Sequence, residues 1–163
     1  MKKLFILLLV ICTSFSAFYS QDNANNIFSK KQSVYFEGLG SYGVYSINYE
    51  YKFSLNENVR LATGVGTSYL NAPNLLLVGV PANFIIGKKH SFETGINPIY
   101  VFGNTSGGDL RGIGENLILS FRAGYRYESN SGFLFRIAFT PFLDVHKPIM
   151  LYPWGGVSIG YSF

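Results

Sequence analysis

From Gly43 to Phe53 the chain alternates strictly. Tyr45, Ile47, Tyr49, Tyr51 and Phe53 are large and apolar, while Ser46, Asn48, Glu50 and Lys52 between them are polar. Successive side chains leave opposite faces of a β-strand, so a period of two gives one apolar face and one polar face. The pattern returns along the chain. Residues 58–70 set Val59, Leu61, Val65 and Tyr69 against Arg60, Ala62, Gly64, Gly66 and Ser68. Residues 116–128 set Leu117, Leu119, Phe121, Ala123, Tyr125 and Tyr127 against Ser120, Arg122, Gly124, Arg126 and Glu128. Phe133, Phe135, Ile137 and Phe139 oppose Arg136, Ala138 and Thr140, and Val157, Ile159, Tyr161 and Phe163 oppose Ser158, Gly160 and Ser162. Residues 33–40 and 91–102 alternate less cleanly and 75–86 is nearly all apolar, so eight strands are expected in a single all-β domain.

The chemistry of the two faces decides which one points outward. Aromatic residues make up 17% of the chain and charged residues 13%, against about 25% charged in a soluble domain. The polar face is too small and too sparsely charged to serve as a water-facing surface. Turned inward it fits a narrow lumen, with the apolar face meeting lipid. Past residue 20 no apolar run approaches the roughly 20 residues of a spanning helix, and in hydrocarbon only a closed barrel then satisfies every backbone N–H and C=O. The expectation is an eight-stranded antiparallel transmembrane up-and-down β-barrel over residues 33–163. Connection lengths agree: about Ser54–Glu57, Gly87–His90 and Ser129–Gly132 are short, whereas Gly103–Gly114 and Leu143–Pro153 are long. Outer-membrane barrels have short periplasmic turns and longer outer loops, so both termini are expected in the periplasm. Tyr152 and Trp154 are then expected near the outer interface, and Phe53, Tyr127 and Phe133 near the inner one.

Residues 1–20 read as a secretory signal peptide: Lys2-Lys3, an apolar stretch from Leu4 to Ile11, then small and aromatic residues to Ser20. Leu9-Val10-Ile11-Cys12 approaches a lipobox, but bulky Ile11 stands where lipidation needs a small residue. Cleavage is expected before Gln21, and residues 21–32 read as a flexible periplasmic lead-in. Loss of Lys2 and Lys3 leaves 11 Lys and Arg against 9 Asp and Glu, a balance that gives nucleic-acid binding no support. The mature chain has no cysteine, hence no disulfide and no thiolate metal site.

The final alternation of Val157, Ile159 and Tyr161, ending on Phe163, resembles the signal by which the outer-membrane assembly machinery recognises its barrels. Gly124-Tyr125-Arg126-Tyr127, Phe135-Arg136 to Phe139-Thr140-Pro141, and Pro153-Trp154-Gly155-Gly156 also resemble segments of small eight-stranded outer-membrane β-barrel proteins of Gram-negative bacteria, the OmpA/OmpX-like barrel class. The resemblance implies the fold, the outer membrane as location, and outer-membrane lipid and the barrel assembly machinery as partners. It implies little about activity, because such barrels host adhesins, anchors and lipid enzymes alike.

Two motifs invite a chemical reading and lose it. Gly38-Leu39-Gly40-Ser41-Tyr42-Gly43 matches a dinucleotide fingerprint, yet that fingerprint must open a helix and here a strand follows. The glycines read as a tight hairpin, and no cofactor is expected. His90 and His146 have no second ligand at metal spacing, and His146 with Asp144 lacks a serine partner for lipid chemistry. No catalytic or metal residue is assigned, and the chain is expected not to be an enzyme.

The inward charges carry more information. Glu37, Glu50, Glu93 and Glu128 share the polar face with Lys52, Arg60, Arg122, Arg126 and Arg136. Buried charges cost several kcal/mol unless paired, so an interlocking network is expected to plug the lumen. The Ser54–Glu57 turn predicts Phe53 opposite Glu57, and hence Glu50 opposite Arg60. The expected role is non-enzymatic, structural or surface-interacting through the loops Gly103–Gly114 and Leu143–Pro153. The alternatives are a lipid-modifying barrel enzyme and a soluble exported lipocalin-like binder of a small apolar ligand. The last needs large apolar residues inside, so the positions of Arg60, Arg122 and Arg136 test it.

Overall fold

The computed structural model describes residues 29–71, 74–103, 116–144 and 151–163. The signal segment, most of the lead-in, residues 104–114 of one long loop and 145–150 of the other, including His146, lie outside the described residues. Among the described residues, eleven strand segments form one antiparallel sheet: β1 (Gln32–Gly40), β2 (Gly43–Ser54), β3 (Val59–Leu70), β4 (Leu75–Gly79), β5 (Ala82–Gly87), β6 (His90–Gly103), β7 (Asn116–Glu128), β8 (Phe133–Phe139), β9 (Phe142–Asp144), β10 (Leu151–Tyr152) and β11 (Gly155–Ser162).

These segments make eight staves, because β4/β5, β8/β9 and β10/β11 are each one strand with a break. Val80-Pro81, Thr140-Pro141 and Pro153-Trp154 occupy the breaks. Proline has no N–H for the ladder, so pairing lapses locally. The register does not slip: Gly79 faces Ile99 and Ala82 faces Ile96, and Phe139 faces Ala123 while Asp144 faces Ile118. The sheet closes where β1 meets β11, with Ser33 opposite Ser162 and Gly38 opposite Val157. Gln32 and Phe163 exchange backbone hydrogen bonds of 3.0 and 2.9 Å at the end of that seam.

Stagger follows from the registers. Val59 faces Ile86, then Phe92, Tyr125, Ile137, Val157, Gly38 and Tyr45 in turn. Continued two residues from the Ile47–Thr67 pair, Tyr45 stands opposite Tyr69, ten residues along β3 from the start. Eight strands with that stagger tilt by roughly 40° and enclose a backbone cylinder of roughly 8 Å radius. Such a lumen has room for side chains and little else.

The hairpins differ from expectation in two places. Between β2 and β3 the loop is residues 55–58, not 54–57. Asn56 Oδ1 accepts from the N–H groups of Asn58 and Val59 at 2.9 and 2.8 Å, and Leu55 N–H donates to Val59 C=O. This side-chain-capped turn pairs Phe53 with Leu61, so Glu50 faces Gly64 and Arg60 faces Ser54. The expected Glu50–Arg60 pairing is therefore wrong by four residues. An even shift preserves the faces, so Arg60 still points inward. Second, β9 pairs with β10 through Leu143 and Leu151, so the ends of the expected loop Leu143–Pro153 belong to the ladder. The β1–β2 connection is a two-residue hairpin at Ser41-Tyr42, flanked by Leu39 at φ 51° and Gly43 at φ 88°; it opens a strand, not a helix.

Candidate functional site in the barrel lumen

The outer wall is apolar. Ile47, Val157, Ile159, Tyr161 and Phe163 are all exposed, Ile47 to 60%, alongside Phe53, Phe92, Phe121 and Phe133. Among the described residues no helix is long and apolar enough to cross a membrane. Tyr152 and Trp154 are exposed at the loop end, and Phe53 and Phe133 at the end that holds the termini and short turns.

Ordinary burial is reversed inside. Glu37, Glu50, Lys52, Arg60, Glu93, Arg122, Arg126, Glu128 and Arg136 are each no more than 5% exposed. They come from β1, β2, β3, β6, β7 and β8, and alternation points each of them at the axis. Nearest the termini, Glu128 receives Lys52 Nζ at 2.5 Å, Arg60 Nη1 at 2.6 Å, Arg126 Nη2 at 3.1 Å and the Ser162 hydroxyl at 2.7 Å. Arg126 also bonds Glu50 and reaches Glu93 at 3.4 Å. Arg136 joins Glu93 at 2.8 Å and lies over the Tyr35 ring, 4.3 Å from its centre. Arg122 reaches Glu37 at 2.7 Å and Glu93 at 3.8 Å, and Glu37 takes further hydrogen bonds from Ser158 and the Ser41 N–H. All nine groups thus form one connected chain along the axis. Glu50 and Arg60 both belong to it, Glu50 through Arg126 and Arg60 through Glu128.

Above the charges, toward the long loops, stands a layer that sequence reasoning missed. Tyr42, Leu75, Leu77, Ile99 and Val101 form a buried apolar cluster, with Leu70, Ile118 and Phe142 packed against it. Tyr42 leaves the first hairpin and folds back into the lumen, its hydroxyl donating to Asn97 Oδ1 at 3.4 Å. Its ring needs two glycines: a Cβ on Gly66 would stand 2.3 Å from the ring, and one on Gly79 2.9 Å from its hydroxyl. The strand containing Leu75 and Leu77 is apolar on both faces, which erased the alternation that would have marked them as inward.

Among the described residues no group of three or more His, Cys, Asp or Glu side chains could hold a metal ion. His90 lies exposed on the outer wall, its Nδ1 2.6 Å from the Tyr125 hydroxyl.

No protein-family model matches the chain, and no curated protein sequence matches it. A solved structure does: the N-terminal β-barrel domain of OprF from Pseudomonas aeruginosa, at 14% identity and a TM-score of 0.53, covering 82% of this chain and 96% of that one. At that identity the likeness is one of fold, an eight-stranded antiparallel barrel.

Proposed function

We propose that the chain is an integral outer-membrane barrel, non-enzymatic, with a plugged lumen and a structural or surface-interaction role. One observation carries this reading: large apolar side chains cover the outside while nine charged side chains fill the inside. In water that distribution would expose a continuous hydrophobic belt, far beyond the few hundred Å² a soluble monomer tolerates. In a bilayer it satisfies both the lipid and the backbone. Likeness to the OprF barrel domain supports the same reading. The end bearing the termini and the three short turns faces the periplasm. The Gly103–Gly114 and Leu143–Pro153 loops face outward, where surface loops on a rigid scaffold carry binding residues. Arg60, Arg122 and Arg136 stand in the space a lipocalin-like barrel would keep apolar. Val157, Ile159, Tyr161 and Phe163 serve as the strand that the assembly machinery reads. Cell fractionation, followed by electrophoresis of unheated and heated protein, tests the proposal. A heat-shifted band in the outer-membrane fraction is expected; a soluble protein with no shift overturns it.

A further inference from the structure

Among the described residues, the exposed charged side chains at the rim of the terminal end are mostly basic. Lys30, Lys31, Lys88 and Lys89 surround it, and Glu57 is the exposed carboxylate there among the described residues, set apart in the β2–β3 hairpin. Two of these lysines lie against aromatic rings of the outer wall. Lys89 lays its ammonium 5.6 Å from the centre of the Tyr127 ring, and Lys30 lays its own 5.7 Å from that of Tyr161. Both rings belong to the outer wall, and between them the wall is continuously aromatic. His90 meets Tyr127 at 5.2 Å, Tyr127 meets Phe133 at 6.4 Å, and Phe133 pairs with Tyr161 across β8 and β11. The turn between β7 and β8 adds the exposed polar residues Asn130 and Ser131. The neighbouring acid, Glu128, is buried and committed to the lumen. Strand order β6, β7, β8, β11, β1 makes this one arc, roughly 20 Å wide at the usual strand spacing.

Aromatic rings below and ammonium groups above are the arrangement a lipid requires: acyl chains pack on the rings while a phosphate sits at the level of the ammonium groups. We propose that this arc, from Lys89 to Lys30, is a docking site for anionic phospholipid headgroups of the periplasmic leaflet. The site rests on the membrane reading above and on its assignment of the terminal end to the periplasm.

Native mass spectrometry of the full mature chain, offered equal phosphatidylglycerol and phosphatidylethanolamine, tests it. Wild type should retain phosphatidylglycerol preferentially. The K30Q/K89Q variant should lose that preference on the order of tenfold, since each cation near a membrane surface contributes to anionic-lipid binding. K31Q/K88Q removes the same charge outside the ring contacts and should lose much less. Heat-shifted bands for all three proteins show that the barrel is folded, so failure of the membrane reading would appear there first. Equal retention of both lipids by folded wild type overturns the site, as does an equal loss in the two variants. In a parallel competition of phosphatidylglycerol with lipopolysaccharide, preferential retention of lipopolysaccharide overturns the choice of leaflet.

Discussion

Glu128 is the residue whose loss should cost most. Its carboxylate meets Lys52, Arg60 and Arg126 at once, and removing it takes a buried anionic partner from three buried cations. Stranding buried charge costs roughly 3–5 kcal/mol. Glu128→Ala should therefore lower the urea midpoint of the refolded barrel sharply, whereas Glu57→Ala, an exposed turn residue, should stay within about 0.5 kcal/mol. An equal effect of the two changes would mean that Glu128 is solvated. A double-mutant cycle on Arg60 and Glu128 should give coupling of roughly 0.5–3 kcal/mol. The cycle on Glu50 and Arg60, which join the network through Arg126 and Glu128 respectively, should give less. If the order is reversed, the β2–β3 register of the structure is wrong.

Among elements, the clean strands were legible because alternation names both faces at once. Tyr45 to Phe53 reads outward and Ser46 to Lys52 inward whatever the partner strand does. Register was not legible in the same way. It depends on how many residues the turn absorbs, and the Asn56 side chain that caps its neighbours' N–H groups leaves only a weak trace in sequence. The apolar layer was hidden for two reasons. Leu75 and Leu77 lie in a strand with no polar parity, and Tyr42 reaches the lumen from a hairpin, where strand periodicity says nothing about side-chain direction. Gly66 and Gly79 mark the layer from the other side, as the room its ring occupies. Gly66→Val should destabilise the barrel by forcing the Tyr42 ring out of its seat, and the penalty should shrink when Tyr42 is already alanine. Thermal loss of the heat-shifted band reads both, and equal penalties in the two backgrounds would show that Tyr42 does not occupy that seat.

Taken whole, the molecule is a barrel with two layers of buried side chains in series, an ion-paired one toward the termini and an apolar one toward the loops. A stagger of ten residues over eight strands leaves a lumen that these side chains fill. The purified protein should show no steady ion conductance in a planar bilayer; sustained single-channel current would mean that the side-chain column yields readily. Closure has a temporal consequence as well. The seam joins Ser33 to Ser162, whose hydroxyls lie 2.8 Å apart across 129 positions of sequence. The first strand emerges from synthesis with one edge that nothing in the chain can cover until the last strand exists. Every intermediate before that moment displays two open edges, the form most prone to pair with other chains, and contacts so distant in sequence form slowly. Neither outer edge is covered until β1 and β11 come together, so the last event of folding is the meeting of the two strands farthest apart in sequence.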